Sequence, residues 1–121
     1  SVFDYWNTPI GSLIDESSAI EKNPLERDEY AQTKLIQEAL VRDFEAKNNA
    51  PVTILRPGMV YGRDNLMNAC LGAELTDTIW LRIGARAQMP LTYVENCAEA
   101  IVLAAEQEAA IGQTINIVDD D

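Results

Sequence analysis

Val52-Thr53-Ile54-Leu55-Arg56-Pro57-Gly58 is the stretch on which the fold turns. A short β-branched run that is apolar on both faces suits a buried parallel strand, and Pro57-Gly58 stops it. Upstream, Leu25 to Lys47 has the period of a helix. Ile36, Leu40 and Phe44 recur every four residues, and Leu35, Ala39 and Val41 widen the apolar stripe. Glu38 with Arg42, and Asp43 with Lys47, are acid-before-base pairs at i and i+4, expected on the exposed side. Pro24 supplies a first-turn proline, and Asn48-Asn49-Ala50-Pro51 ends the helix. A helix, a tight connection and a buried strand together predict an α/β layered domain.

On the far side of the strand the pattern continues in the same style. A looser helix is expected from Asp64 to Leu75, with Leu66, Ala69, Cys70 and Ala73 on one side and Gly72 weakening it. Thr78 to Ile83 alternates Ile79, Leu81 and Ile83 against Trp80 and Arg82, the period of a half-buried strand, and Gly84 ends it. Leu91 to Val94 is extended and leads into a helix from Asn96, its expected N-cap, to Gln107, with Cys97, Ile101, Ala104 and Ala105 inward. Gly112 breaks that helix, and Thr114 to Val118 forms a last strand before the acidic tail Asp119-Asp120-Asp121. Residues 1 to 5 are an apolar and aromatic start, and residues 14 to 25 are acidic and irregular. There are no internal repeats.

At 121 residues the chain is one domain or a piece of one, and 47% hydrophobic with 24% charged residues marks it as globular. The formal charge of -11 argues against nucleic acid and anionic membrane surfaces, both of which are met through Lys and Arg. No apolar run reaches the length of a membrane span, and the first residues lack the pattern of a signal peptide, so a cytoplasmic location is expected. Cys70 and Cys97 fit no short metal-ligand spacing and read as reduced core thiols. The absence of His removes Ser-His-Asp and Cys-His catalysis and the commonest zinc ligand, so no metal site is expected. Any acid/base chemistry falls to Tyr, Lys or carboxylates.

Tyr30-Ala31-Gln32-Thr33-Lys34 offers such a pair inside the long helix. Residues at i and i+4 share a helix face, so the phenol and the ammonium group project side by side. A phenol titrates near pH ~10, and a neighbouring positive charge favours the phenolate. Tyr30 beside Lys34 is therefore a candidate tuned acid/base.

Taken together these stretches resemble the second half of an extended short-chain dehydrogenase/reductase, the NAD-dependent epimerase/dehydratase family. After the Tyr-x-x-x-Lys helix, Leu55-Arg56-Pro57-Gly58-Met59-Val60-Tyr61-Gly62 is similar to that family's Arg-Pro-x-x-Val-Tyr-Gly segment. Tyr93-Val94-Glu95-Asn96-Cys97-Ala98-Glu99-Ala100 is similar to its Val-x-Asp-x-Ala-x-Ala helix start, and Thr114-Ile115-Asn116-Ile117 resembles its closing strand with Asn. The resemblance implies a partial Rossmann-like, doubly wound α/β domain: residues 1–62 as the catalytic helix and last Rossmann strands, residues 63–121 as the substrate-side portion. It implies Tyr30 as catalytic acid/base, Lys34 as the partner that also hydrogen-bonds the nicotinamide ribose, and Ser1, four residues before Tyr5, as the third catalytic position, although Trp6 stands where the family has Gly. Pro57, Gly58 and Val60 fall where the family's loop approaches the nicotinamide of NAD or NADP. Arg63, Arg82, Arg86 and Tyr93 are the substrate-side candidates.

The departures set further expectations. The six glycines include no pair two or three residues apart, so the Gly-rich turn that holds a dinucleotide pyrophosphate is missing. The chain alone is expected neither to hold NAD tightly nor to turn over substrate, the polypeptide beginning in the middle of the family's fold. The Arg that nucleotide-sugar enzymes carry five residues before the Val of Val-x-Asp is Met89 here, which weakens a nucleotide-sugar substrate, and Asn96 is similar to the hydroxysteroid dehydrogenase-like branch. The parent activity implied is hydride transfer between NAD(P) and the carbinol carbon of a sugar or similar alcohol, with epimerisation or dehydration following. The competing reading is a non-catalytic half-fold that serves as an interaction or regulatory module. A small flavodoxin-like domain is disfavoured by the lack of a phosphate-binding loop. An unpaired sheet edge and apolar helix faces predict a homo-oligomer.

Overall fold

Two parallel strand pairs and two helices carry the architecture of this computed structural model, which describes residues 2–5, 8–9, 11–63, 73–76, 78–81 and 88–120. Helix α1 (Glu29–Asn48) is followed by strand β1 (Ile54–Pro57), then, with only Gly58 between, by β2 (Met59–Tyr61). β3 (Ala73–Thr76) and β4 (Ile79–Leu81) form an antiparallel pair. β5 (Leu91–Tyr93) runs directly into α2 (Val94–Glu106), and β6 (Thr114–Ile117) closes the fold. β1 pairs with β6 in parallel, Ile54 opposite Thr114 and Arg56 opposite Asn116. β2 pairs with β5 in parallel, Met59 opposite Leu91 and Tyr61 opposite Tyr93. This is the small α/β, partial Rossmann-like arrangement that the sequence predicts.

A parallel pair needs a long crossover between its strands, and the helical segment α2 supplies it for β1 and β6. The start of β1 is stitched to the end of that crossover: Gly112 N–H donates to the Val52 carbonyl at 2.7 Å, and Thr53 Oγ1 donates to the Ala110 carbonyl at 2.8 Å. Gly112 can turn the chain here because its φ of 75° lies in the left-handed region. At Gly58 the chain changes partners. Gly58 N–H still donates to Ile117 of β6 at 2.9 Å, whereas Met59 N–H donates to Pro90 beside β5 at 2.7 Å.

The chain before α1 folds back on itself. A 3-10 turn at Val2–Asp4 leads to an isolated antiparallel bridge between Tyr5 and Ile20, and Glu21 N–H donates to the Asp4 carbonyl at 2.9 Å. Pro24 opens a separate 3-10 turn, Pro24–Glu26, rather than α1 itself. The N-cap of α1 is Asp28, whose carboxylate accepts from the N–H groups of Tyr30 and Ala31, each at 3.1 Å. Asn49, with φ 48°, ends the helix in the left-handed conformation that Asn tolerates.

Several expectations are corrected. The face of α1 turned inward is Ala31, Leu35 and Glu38. The stripe Ile36, Leu40 and Phe44 is 50%, 63% and 56% exposed, because it lies on the side of the helix opposite the buried face, about 170° around at 100° per residue. Glu38, expected on the exposed side with Arg42, is only 8% exposed; Asp43 and Lys47 do pair on the outside, at 2.6 Å. Ala73 to Leu75, expected to end a helix, belong to β3; residues 64–72, including Cys70, lie outside the described residues. Ile79 and Leu81 form a strand as predicted but are exposed. In α2, Cys97 is buried as expected and Ala104 partly so, while Ile101 and Ala105 face out. α2 begins two residues earlier than Asn96, with Tyr93 at its N-cap position. No helix among the described residues is long and apolar enough to cross a membrane.

Candidate functional site

Tyr30 and Lys34 stand in the first two turns of α1, and the helix brings them together as their spacing dictates. Lys34 Nζ lies 5.6 Å from the centroid of the Tyr30 ring, within cation–π range. The ammonium group also donates to Gln37 Oε1 at 3.4 Å, and the Tyr30 ring is exposed on the same face. Asp28 fixes the start of this turn through the N–H of Tyr30 itself.

Two cross-links set the direction in which α1 lies on the strands. Arg42 Nη2 donates to Thr114 Oγ1 at 3.0 Å, at the start of β6. Four residues back along the helix, Glu38 meets Arg56, which sits opposite Asn116, two residues further along β6. Four helical residues rise about 6 Å, and two strand residues about 6.6 Å, so the two steps match when helix and strands run antiparallel. Tyr30 and Lys34, another one to two turns back, therefore lie toward the carboxyl ends of β1 and β6. In open α/β sheets that is the end where ligands bind.

Between these cross-links sits a buried ionic network. Arg56, 2% exposed, gives Nη2 to Glu38 Oε1 at 2.6 Å and Nε to Glu38 Oε2 at 3.0 Å, a two-pronged pair. Its Nη1 donates to the Tyr5 hydroxyl at 2.6 Å, which in turn donates to Asn116 Oδ1 at 2.9 Å. The guanidinium carbon is 4.9 Å from the Tyr5 ring centroid. Arg42 adds bonds to Glu38 Oε1 at 3.0 and 2.7 Å. Burial alone pushes the Glu38 carboxyl up; the bonds and charges of Arg56 and Arg42 outweigh it and hold the group at about 2. Burial likewise works to lower Arg56, and the bonds to Glu38 and Tyr5 outweigh it and raise it.

This network makes stability depend on pH. The folded Glu38 value lies below its ordinary 4.5, so its contribution is fully present above 4.5 and is lost as pH falls through about 2. About 2 kcal/mol is at stake, allowing for the solvent that reaches Arg42. Urea unfolding of the wild type followed from pH 5 downward is expected to lose this amount, whereas Glu38→Gln, already weaker, loses correspondingly less over the same window. Equal acid losses in the two proteins would contradict it. Sequence reading misses the network because it treats Glu38 as a surface i, i+4 partner; the available signal is Arg56 as the lone charge in an apolar strand.

The second cluster lies where β2 and β5 end. Pro57 closes β1 and Val60 is the middle residue of β2, both half-buried. Gly58 is buried, and a Cβ on it would press on the Pro90 carbonyl oxygen, with Pro90 C at 2.9 Å and Val118 Cγ1 at 3.2 Å. Arg63 is exposed just past β2. The rings of Tyr61 and Tyr93 lie 5.3 Å apart between centroids at 59°, an edge-tilted pair. Ser1, Arg82 and Arg86 lie outside the described residues.

Asp119, in the tail that composition reads only as acidic, is the group that organises this cluster. Its Oδ2 accepts the Tyr93 N–H at 2.7 Å, and its Oδ1 accepts from Asn96 Nδ2 at 3.0 Å and from Thr92 Oγ1 at 3.4 Å. The expected cap, Asn96, is thus the third residue of α2 and a donor, while the carboxylate that caps the helix comes from beyond β6. Its bond from Asn96, reinforced by the Tyr93 N–H, Thr92 and Tyr61 against slight burial, holds the Asp119 carboxyl below its ordinary range.

Among the described residues no three His, Cys, Asp or Glu side chains gather as a metal site. On α1 a phenol and an ammonium group stand side by side at Tyr30 and Lys34. For the pyrophosphate the glycines at 11, 58, 62, 72, 84 and 112 form no Gly-rich turn. In comparisons with known proteins, the model of the NAD dependent epimerase/dehydratase family matches residues 8–118. Comparison with curated proteins and with solved structures gave no match.

Proposed function

The chain belongs to the NAD dependent epimerase/dehydratase family, and from that premise we propose that it carries the acid/base portion of an NAD(P)-dependent site acting on a sugar or similar alcohol. The observation that carries this reading is the Tyr30–Lys34 pair, one helical turn apart, with the ammonium nitrogen 5.6 Å from the ring centroid. Tyr30 takes the hydroxyl proton of the substrate as the carbinol carbon is oxidised, and returns it when the carbonyl is reduced. Lys34, beside the Tyr30 ring, would hold the ribose of the nicotinamide. NAD(P), when bound, supplies the hydride acceptor. Arg63 and Tyr93 contact the substrate. Met89, in place of a pyrophosphate-binding Arg, favours a sugar or a hydroxysteroid-like alcohol over a nucleotide sugar.

The test supplies in trans a separately expressed dinucleotide-binding segment of the same family, with its Gly-rich turn, and follows nicotinamide absorbance with sugars, nucleotide sugars and secondary alcohols. Activity is expected with the wild-type chain and to fall about 10²- to 10⁴-fold in Tyr30→Phe, the usual range for a lost acid/base group. Activity undiminished in Tyr30→Phe overturns the assignment. Absence of activity with every substrate and nucleotide supports the non-catalytic module instead.

A further inference from the structure

Asp119 holds more of the substrate-side cluster together than any other described side chain. Besides the bonds that its carboxylate accepts from Tyr93 N–H, Asn96 and Thr92, its own N–H donates to the Leu91 carbonyl at 2.8 Å. Its partners all lie at the junction of β5 with α2, which it ties to the tail after β6. A carboxylate that already accepts from three protein donors has little capacity left for a ligand, so its role is to place what surrounds it. What surrounds it is the Tyr61–Tyr93 ring pair, opposite one another in register at the carboxyl ends of two parallel strands.

We infer that Asp119 is a positioning residue that fixes the Tyr61–Tyr93 pair as an aromatic corner for the carbon-rich face of a sugar or alicyclic alcohol. The inference rests on the reading given above that Tyr93 contacts substrate. Tyr93 is tied through its backbone N–H, and the Tyr61 ring packs against the Tyr93 ring at 5.3 Å between centroids, so the carboxylate sets the pair through Tyr93. Its loss frees the first turn of α2 at the same time, because the Tyr93 N–H then has no acceptor.

The chain has four tyrosines, which makes the test internally controlled. With the full chain labelled at tyrosine Cζ, carbon NMR of Asp119→Asn and Asp119→Ala is expected to move the Tyr61 and Tyr93 resonances and leave those of Tyr5 and Tyr30 in place. Tyr61→Phe and Tyr93→Phe assign the signals, and Tyr93→Phe, which keeps the backbone bond to Asp119, leaves Tyr61 where it was. Unmoved Tyr61 and Tyr93 signals, or equal movement of all four, overturn the inference. In the reconstituted mixture Asp119→Asn then raises KM about tenfold with kcat nearly unchanged, the mark of lost substrate placement. If the NMR signals move but neither Asp119→Asn nor Tyr93→Phe changes KM, the substrate part is overturned. Tyr30→Phe, which reads the acid/base proposal through kcat, separates the failure of that proposal from the failure of this one.

Discussion

Arg56→Ala destabilises the chain by about 3–5 kcal/mol in urea unfolding, because it leaves the Glu38 carboxylate buried without its two-pronged partner. The Tyr5 hydroxyl loses its donor in the same step, while its own bond to Asn116 remains. The cost is that of an uncompensated buried charge, and it differs from what the pair contributes in total. Desolvating both ions offsets much of their attraction, so removing both together is expected to cost far less. Glu38→Leu combined with Arg56→Met, of similar volume, is expected to fall within about 1 kcal/mol of the wild type or above it. A double variant as weak as Arg56→Ala would show that the pair, and not its balance, supplies the stability. A loss below about 1 kcal/mol in Arg56→Ala would show that Glu38 finds other compensation, for which Arg42 is the only candidate among the described side chains on it.

Gly58→Ala is the second large effect, expected at about 2–4 kcal/mol from overpacking and loss of backbone hydrogen bonds. The added methyl meets the carbonyl group of Pro90, which is backbone and cannot rotate aside, and Val118 Cγ1 blocks the other direction at 3.2 Å. Relief requires parting Gly58 from Ile117 or Met59 from Pro90, the bonds of 2.9 and 2.7 Å by which the chain passes from one strand pair to the other. Gly62→Ala is the control. Its methyl meets only the Val94 side chain, with Cγ1 at 2.9 Å, and a side chain can turn. It is expected to cost about 1 kcal/mol or less. Comparable losses in the two variants, measured by the same unfolding curves, would refute the argument from backbone approach.

Much of the fold was legible in the residues, and the reasons are local. α1 announces itself by period and by polar ends, β1 by a β-branched run beside a proline, and β6 by a short apolar segment after Gly112. Each signal depends on neighbours within a few positions, where backbone preference and side-chain spacing act. β2 was missed because Pro57-Gly58 reads as a stop. In fact Pro57 is the last residue of β1, and the chain re-enters sheet structure at once with a different partner. The inward face of α1 was misread because Ile36, Leu40 and Phe44 make the more apolar stripe. The helix instead turns toward the sheet the face that carries Glu38, since Arg56 demands an acidic partner.

The candidate site divides along the same line. Tyr30 and Lys34 could be paired from the sequence, because i and i+4 meet on any helix whatever it packs against. That they lie toward the carboxyl ends of β1 and β6 could not, since it follows from cross-links at Glu38–Arg56 and Arg42–Thr114. Asp119 is further still from local reading: its partners at Thr92, Tyr93 and Asn96 are more than twenty residues away, and a run of three aspartates carries no sign of which one turns inward.

By itself, then, the sequence determined the α/β class, the helix that carries Tyr30 and Lys34, and the family, because periodicity and ordered motifs survive without knowledge of contacts. Only the tertiary structure decided which face of that helix is buried, that Arg56 and Glu38 form the charged centre of the packing, and that the tail residue Asp119 caps α2. Those are choices among pairings distant in the chain, fixed by which buried charge or unsatisfied N–H finds a partner when the strands come together.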